Sequence, residues 1–214
     1  MWPNRMPPPL FQLSCPLDPR LLTLISAMLQ KLSRYIFHRM MGWTVDVSVP
    51  HHDKCIICVA PHTSNWDFII AQLYYTSIGR RAGFLMKKEW FFWPMGKFFR
   101  ALGGVPVERS RKTSLTDQLA ERALQSDRFE LAITPEGTRS LTHTWKRGFY
   151  YIALKAKLPI MLYAMDFEQK KVVCHKVLIP TGNVDADMRE IMEYYRPFKG
   201  KYPHKFAVED VPQT

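Results

Sequence analysis

Apolar positions Leu21, Leu22, Ile25, Met28, Leu29, Leu32, Ile36 and Met40 recur at intervals of three and four. That is the period of one face of a helix. The spacing predicts a helix over residues 21–43, with Lys31, Arg34, His38 and Arg39 as its basic members and Gly42 placed to end it. The pattern then alternates. An apolar run at 55–60 predicts a strand, and a helix follows from Ser64 or Asn65, both good N-cap residues, to about Ser77. Residues 82–87 predict a second strand. A third covers 105–108 and belongs at a sheet edge or is short, because Pro106 has no N–H to give to a ladder. Residues 115–126 predict a helix, 131–134 a strand and 146–157 a helix. Two strands follow at 160–165 and 171–179, then a helix at 184–195 capped by Asn183 or Asp185. Strands alternating with helices predict an α/β fold: a central mostly parallel or mixed sheet flanked by helices, preceded by an N-terminal amphipathic helical segment.

Composition narrows the function classes. Hydrophobic residues are 47% and charged residues 23% of the 214, which supports one globular domain with a sizeable core. Thirty Lys and Arg against 19 Asp and Glu give a net charge of +11, which favours a polyanion: nucleic acid, an anionic membrane or a phosphorylated substrate. No basic run reaches five residues and no nucleic-acid-binding motif is present, so no nucleic-acid partner is expected. There is no GxGxxG and no Walker loop to argue for a nucleotide cofactor. No apolar window reaches the length of about 18 residues that a spanning helix needs. Residues 1–20 carry Pro3, Pro7, Pro8, Pro9, Pro16 and Pro19 and read as a poorly structured lead-in without a secretory signal, which favours a reducing compartment. Cys55 and Cys58 form a CxxC inside an apolar strand, where residues three apart point to opposite faces. Buried core thiols are therefore expected and no metal site; zinc, with His51 or His52, is the lesser alternative.

The sharpest candidate for chemistry is Pro61-His62-Thr63-Ser64-Asn65-Trp66-Asp67, where a strand ends and a helix begins. Ligands of α/β sheets bind at that end of a strand. Along one continuous helix, five residues would turn the two side chains about 140° apart. With His62 in the turn before the helix, Asp67 can instead reach its ring, fix the tautomer and make the imidazole a general base. A histidine that only hydrogen-bonds locally near a helix start fits the same spacing. Two further segments stand out. Thr134-Pro135-Glu136-Gly137-Thr138-Arg139-Ser140 again follows a strand; Gly137 allows a turn or close approach, and Arg139 can grip a phosphate with its planar fork. Its plain alternative is a turn with a surface arginine. Gly103-Gly104-Val105-Pro106-Val107-Glu108-Arg109 puts a glycine pair before a strand ending in arginine, or simply a turn, a strand and a solvated charge.

Together these segments resemble the glycerophospholipid (lysophospholipid) acyltransferase family, of the 1-acyl-glycerol-3-phosphate acyltransferase kind. The family has an H-x4-D motif, a glycine-led strand ending in arginine, an E-G-T-R motif and a later apolar-proline motif. Here these are His62 and Asp67, then Gly104 to Arg109, then Glu136-Gly137-Thr138-Arg139, with Leu158-Pro159-Ile160 as the fourth. The likeness covers about residues 55–180. It departs at Pro61, where the family usually has asparagine, and at Glu108, where many members have aspartate. The resemblance implies an acyl transfer from acyl-coenzyme A or acyl carrier protein, used as co-substrate and not as a resident cofactor. The acceptor it implies is the free hydroxyl of a lysophospholipid, 1-acyl-glycerol-3-phosphate giving phosphatidate. Another lyso-lipid acceptor, or an inactive membrane-surface scaffold, is the alternative. His62 and Asp67 are then the catalytic pair, and Arg109, Glu136, Gly137, Thr138 and Arg139 bind substrate, the two arginines taking the acceptor phosphate. Residues 44–206 become the acyltransferase domain, 207–214 a tail and 21–43 a membrane-associating helix. The protein is expected to sit peripherally on an anionic membrane, on the cytoplasmic side. The aromatic and basic stretch 87–100 is a second candidate for membrane contact, and packing in the core is the alternative for both stretches.

Overall fold

The computed structural model describes residues 19–107 and 114–208. Most of the proline-rich lead-in, the last residues of the tail, and Glu108 and Arg109 lie outside the described residues.

The centre of the molecule is a seven-stranded sheet in the order β1-β7-β6-β2-β5-β3-β4. Its strands are β1 (Thr44–Val47), β2 (Lys54–Ala60), β3 (Gly83–Lys87), β4 (Gly104–Val107), β5 (Phe129–Ile133), β6 (Ile160–Asp166) and β7 (Lys171–Leu178). All pairings are parallel except β6 with β7, so β1 and β7 run against the other five strands. The short Phe167–Lys170 link between β6 and β7 makes this a hairpin, the connection that antiparallel neighbours allow. β4 is an edge strand, as the missing N–H of Pro106 requires. β1 was not anticipated. It adds to the opposite edge by pairing with β7, 127 positions on, with Thr44 opposite Lys171.

The helices are α1 (Pro19–Tyr35), α2 (Trp66–Ser77), α3 (Met95–Ala101), α4 (Leu115–Gln125), α5 (Gly148–Ala156) and α6 (Val184–Tyr195). A single wide turn, Ile36–Met40, extends α1, and Gly42 closes it with φ +71°, a left-handed conformation that glycine adopts without a Cβ penalty. α4 and α6 carry side-chain caps: Ser114 accepts from the Asp117 N–H, and Asn183 accepts from the Ala186 N–H.

The central strand β2 alternates strictly. Ile56, Cys58 and Ala60 face a core built with α4, α5 and α6. Cys55, Ile57 and Val59 face the other core, with Phe37 and the α2 residues Ile70, Tyr74 and Tyr75. Both faces are thus covered, which is why β2 and β6 read as continuous apolar runs. Cys55 and Cys58 lie in different cores, and burial pushes both thiols up to about 12. The glycine pair before β4 is required by packing: a Cβ on Gly103 would stand 2.5 Å from the Ala82 carbonyl oxygen, and one on Gly104 would stand 2.8 Å from that of Phe99.

α1 is turned inside out. Its polar face points inward: Ser33 is buried, and Gln30 Nε2 and Arg34 Nη2 both donate to the Ser77 carbonyl at the end of α2 (3.3 and 3.2 Å). Its apolar face points outward, with Met28 70% exposed and Leu24, Leu32 and Tyr35 each above half. Trp90, Phe92, Trp93 and Phe98, around α3, are likewise more than half exposed.

Candidate functional site

β2 and β5 are neighbours in the sheet, with Cys58 opposite Ile133. The segments that follow them therefore lie side by side, although 74 residues separate His62 from Glu136. The Ala60–Pro61 peptide is cis, and His62 follows in the turn before α2. Asp67, the second residue of α2, is 1% exposed and accepts four hydrogen bonds. The N–H groups of Thr63 and Ser64 donate to its Oδ2 at 2.8 Å each, Ser64 Oγ donates to Oδ1 at 2.9 Å, and His62 Nδ1 lies 3.1 Å from Oδ2. An acceptor so surrounded by donors leaves Nδ1 as the protonated nitrogen of the ring. Nε2 is then the nitrogen left with a lone pair, on a ring that retains 19% exposure. This is the orientation a general base requires.

Glu136 closes the other side of the turn. Its Oε1 accepts from the His62 N–H at 2.7 Å. The side chain is 2% exposed, and Oε2 has no hydrogen-bond partner among the described residues. Burial, with a smaller push from Asp67 and against the pull of the His62 N–H, raises this carboxyl from 4.5 to about 8. Near neutral pH it is mostly the neutral acid, consistent with its dry surroundings.

Gly137 has φ +66°, and its missing Cβ leaves room for Lys146, whose Cγ would stand 3.2 Å away. Thr138 Oγ1 accepts from the Ser140 N–H at 3.2 Å. Arg139 is exposed and donates to Asn65 Oδ1, so its guanidinium is held beside the start of α2, with no further partner for its fork among the described residues. His62, Asp67, Glu136, Gly137, Thr138 and Arg139 therefore form one site. Arg109, also expected there, lies outside the described residues. Leu158 and Pro159 stand elsewhere, before the start of β6, where the Pro159 carbonyl accepts from Ile56 N–H; their role is to feed a core strand.

Four backbone donors of the turn and the start of α2 are engaged. The N–H groups of His62, Thr63 and Ser64 serve Glu136 and Asp67, and that of Trp66 serves Ser64 Oγ. The first three, near at hand for an oxyanion, are therefore not available for one. The sequence offered Ser64 and Asn65 only as N-cap candidates for α2; it did not show that Ser64 braces Asp67 or that Asn65 anchors Arg139. A polar pair inside that spacer, at a helix start, was the available signal. Among the described residues no three His, Cys, Asp or Glu side chains cluster as metal ligands.

A family model described as Acyltransferase matches residues 45–165, which run from within β1 into β6 and include His62, Asp67 and the segment 136–139. The chain belongs to the Acyltransferase family. It is 34% identical over 83 residues to a 1-acyl-sn-glycerol-3-phosphate acyltransferase of Cocos nucifera, an alignment that covers 36% of this chain and 27% of the coconut protein. The crystal structure of the 1-acyl-sn-glycerophosphate (LPA) acyltransferase PlsC from Thermotoga maritima superposes with a TM-score of 0.59. That match covers 85% of this chain and 81% of the other at 18% identity, which establishes a common fold.

Proposed function

We propose that this member of the Acyltransferase family moves a fatty acyl group from a coenzyme A or carrier-protein thioester to the free hydroxyl of 1-acyl-glycerol-3-phosphate, giving phosphatidate. The observation that carries the reading is the His62 ring, held through Nδ1 by buried Asp67 with its other nitrogen open. An alcohol is a weak nucleophile near neutral pH. Nε2 takes its proton as the oxygen attacks the thioester carbonyl, and Asp67 stabilises the imidazolium that results. The tetrahedral intermediate then expels the thiolate, which receives that proton from His62. An ester and a free thiol are formed, with no acyl-enzyme. Glu136 does not meet substrate in this scheme; it fixes the His62 backbone. Arg139, anchored on Asn65, receives the acceptor phosphate in a charge-assisted contact. Arg109 is assigned the same work on sequence grounds alone.

The acceptor is an amphiphile, so the enzyme has to meet a lipid surface. Two features support a peripheral seat on an anionic bilayer: the outward apolar face of α1 and the aromatic cluster around α3. Trp66, Phe68 and Ile69 add exposed apolar groups on the first turns of α2, beside His62. Among the described residues no helix is long and apolar enough to cross a membrane. Tryptophan suits the headgroup region, and each basic residue near an anionic surface contributes roughly 1 kcal/mol. The side that supplies the thioester, taken as cytoplasmic, is the side on which this surface lies.

The test is a panel of acceptors in mixed micelles with oleoyl-coenzyme A and oleoyl-carrier protein, products read by mass spectrometry. Phosphatidate as the main product supports the reading. Efficient acylation of another lyso-lipid alone would keep the reaction class and replace the acceptor. Turnover of none would favour a surface scaffold.

A further inference from the structure

Beyond α6 the described chain, to residue 208, stays on the molecule. It returns across the candidate site as a strap. Phe167 N–H donates to the Lys199 carbonyl at 2.9 Å, and Lys199 Nζ pairs with Glu168 at 2.7 Å, fastening the strap to the link after β6. Gly200 is buried flush on the catalytic turn: a Cβ there would stand 2.8 Å from the Thr63 side chain and 3.0 Å from Pro61 Cβ. Tyr202 N–H then donates to Thr63 Oγ1 at 3.2 Å. Lys201 sits between these two fixed points, and its Nζ lies 4.7 Å from the centre of the Trp66 ring. Trp66 opens α2, four residues after His62.

This placement answers a shortage. The turn's own N–H groups at His62, Thr63, Ser64 and Trp66 are all engaged by side chains. With those four donors taken, cationic side chains are the groups best placed to recognise an anion beside His62. Arg139 arrives on Asn65 from the loop after β5, and Lys201 arrives on the adjacent Trp66 from the strap. Neither has a carboxylate partner among the described residues. Lys199 is neutralised by Glu168, and Lys205 lies over Tyr202. A lysine held by an aromatic face keeps its charge and its N–H donors for a further partner. The strap is already fastened through its backbone, so it does not need Lys201 to hold it.

We propose that Lys201 is a second phosphate-binding residue of this site, acting with Arg139 on a phosphate of one of the two substrates. The inference rests on the acyl-transfer reading above and extends the site beyond the matched region, 45–165, to the strap. The phosphate belongs either to the acceptor headgroup or to the coenzyme A donor, and kinetics separates them. The KM values for lysophosphatidate, oleoyl-coenzyme A and oleoyl-pantetheine are measured for the full chain and for its Lys201→Ala and Lys201→Arg variants. Loss of one charge-assisted contact is expected to raise KM about five- to tenfold with kcat unchanged, and arginine is expected to restore most of it. A rise confined to lysophosphatidate assigns the acceptor phosphate. A rise for oleoyl-coenzyme A but not oleoyl-pantetheine assigns the donor. Unchanged KM values, or all three raised alike, would overturn the inference while leaving the reaction intact. A wild-type protein that transfers no acyl group to any acceptor would remove the reading itself, and the inference with it.

Discussion

Replacing Asp67 with asparagine separates its electrostatic work from its structural work. The amide oxygen can take the Oδ2 position and keep the Thr63 and Ser64 N–H bonds and the contact with Nδ1. The amide nitrogen then faces Ser64 Oγ, which can turn from donor to acceptor. The turn is therefore preserved and only the charge is lost. Two charge-assisted backbone bonds become neutral ones, about 1–2 kcal/mol, or a fall in Tm of about 5 °C for a chain this size. The catalytic effect is larger. An imidazolium and a carboxylate with charge centres about 4 Å apart interact by about 4 kcal/mol at an effective dielectric constant of 20. The ring's residual exposure lets water recover part of it. A fall in kcat of about 10²- to 10³-fold is expected, with KM for the acceptor nearly unchanged. Asp67→Ala is the contrast: it leaves the Thr63 and Ser64 N–H groups without an acceptor in buried positions, at about 1–3 kcal/mol each, and is expected to unfold well below the asparagine variant. The assay is thiol release under saturating lysophosphatidate, beside thermal unfolding. A folded Asp67→Asn protein with kcat within about threefold of wild type would show that the carboxylate charge does not act on the imidazolium. Asp67 would then be no more than a cap for α2.

Three further outcomes are expected. The folded protein holds the Glu136 proton up to about pH 8, whereas the unfolded chain releases it near 4.5, so the native state binds more protons between those values and stability falls as pH rises through that window. Glu136→Gln keeps the acceptor for His62 N–H and should flatten this decline, by a few kcal/mol at about 1.4 kcal/mol per pK unit; an unchanged pH profile of denaturant unfolding would contradict the buried acid. Arg139→Ala should raise KM for lysophosphatidate about tenfold with little change in Tm, since the side chain is exposed, and an unchanged KM would remove it from the phosphate site. Glutamate at Leu24, Met28 and Leu32 together should cost less than about 1 kcal/mol of stability, because these side chains are exposed, yet abolish flotation with anionic vesicles; equal flotation would take α1 out of the lipid surface.

The alternation of strands and helices was legible because β2 and β6 are buried on both faces and their apolar runs are bounded by turn residues. Pro106 marked β4 as an edge or short strand before any pairing was known. β1 was passed over although Val45, Val47 and Val49 alternate with Thr44, Asp46 and Ser48. A four-residue edge strand is a weak local signal, and its partner β7 is distant in sequence. α3 was hidden because Phe98 and Phe99 in a basic stretch read as an aromatic surface cluster, and seven residues give little helical period. His62 and Asp67 could be paired from spacing alone, since the turn between them is local. The contacts of Glu136 with His62 and of Arg139 with Asn65 follow from the adjacency of β2 and β5, which no local pattern encodes. The strap over Thr63 is farther still from any sequence signal: Gly200 meets Thr63, and Lys201 meets Trp66, from 135 or more positions away.

In the proposed reaction His62 takes the proton of the attacking hydroxyl. The direct measurement is thiol release from oleoyl-coenzyme A with lysophosphatidate in mixed micelles, wild type beside His62→Ala, with phosphatidate quantified in both. Phosphatidate is expected from the wild type, with a loss of about 10²- to 10⁴-fold in the variant at a Tm close to wild type. Equal phosphatidate formation by both proteins would contradict that role of His62.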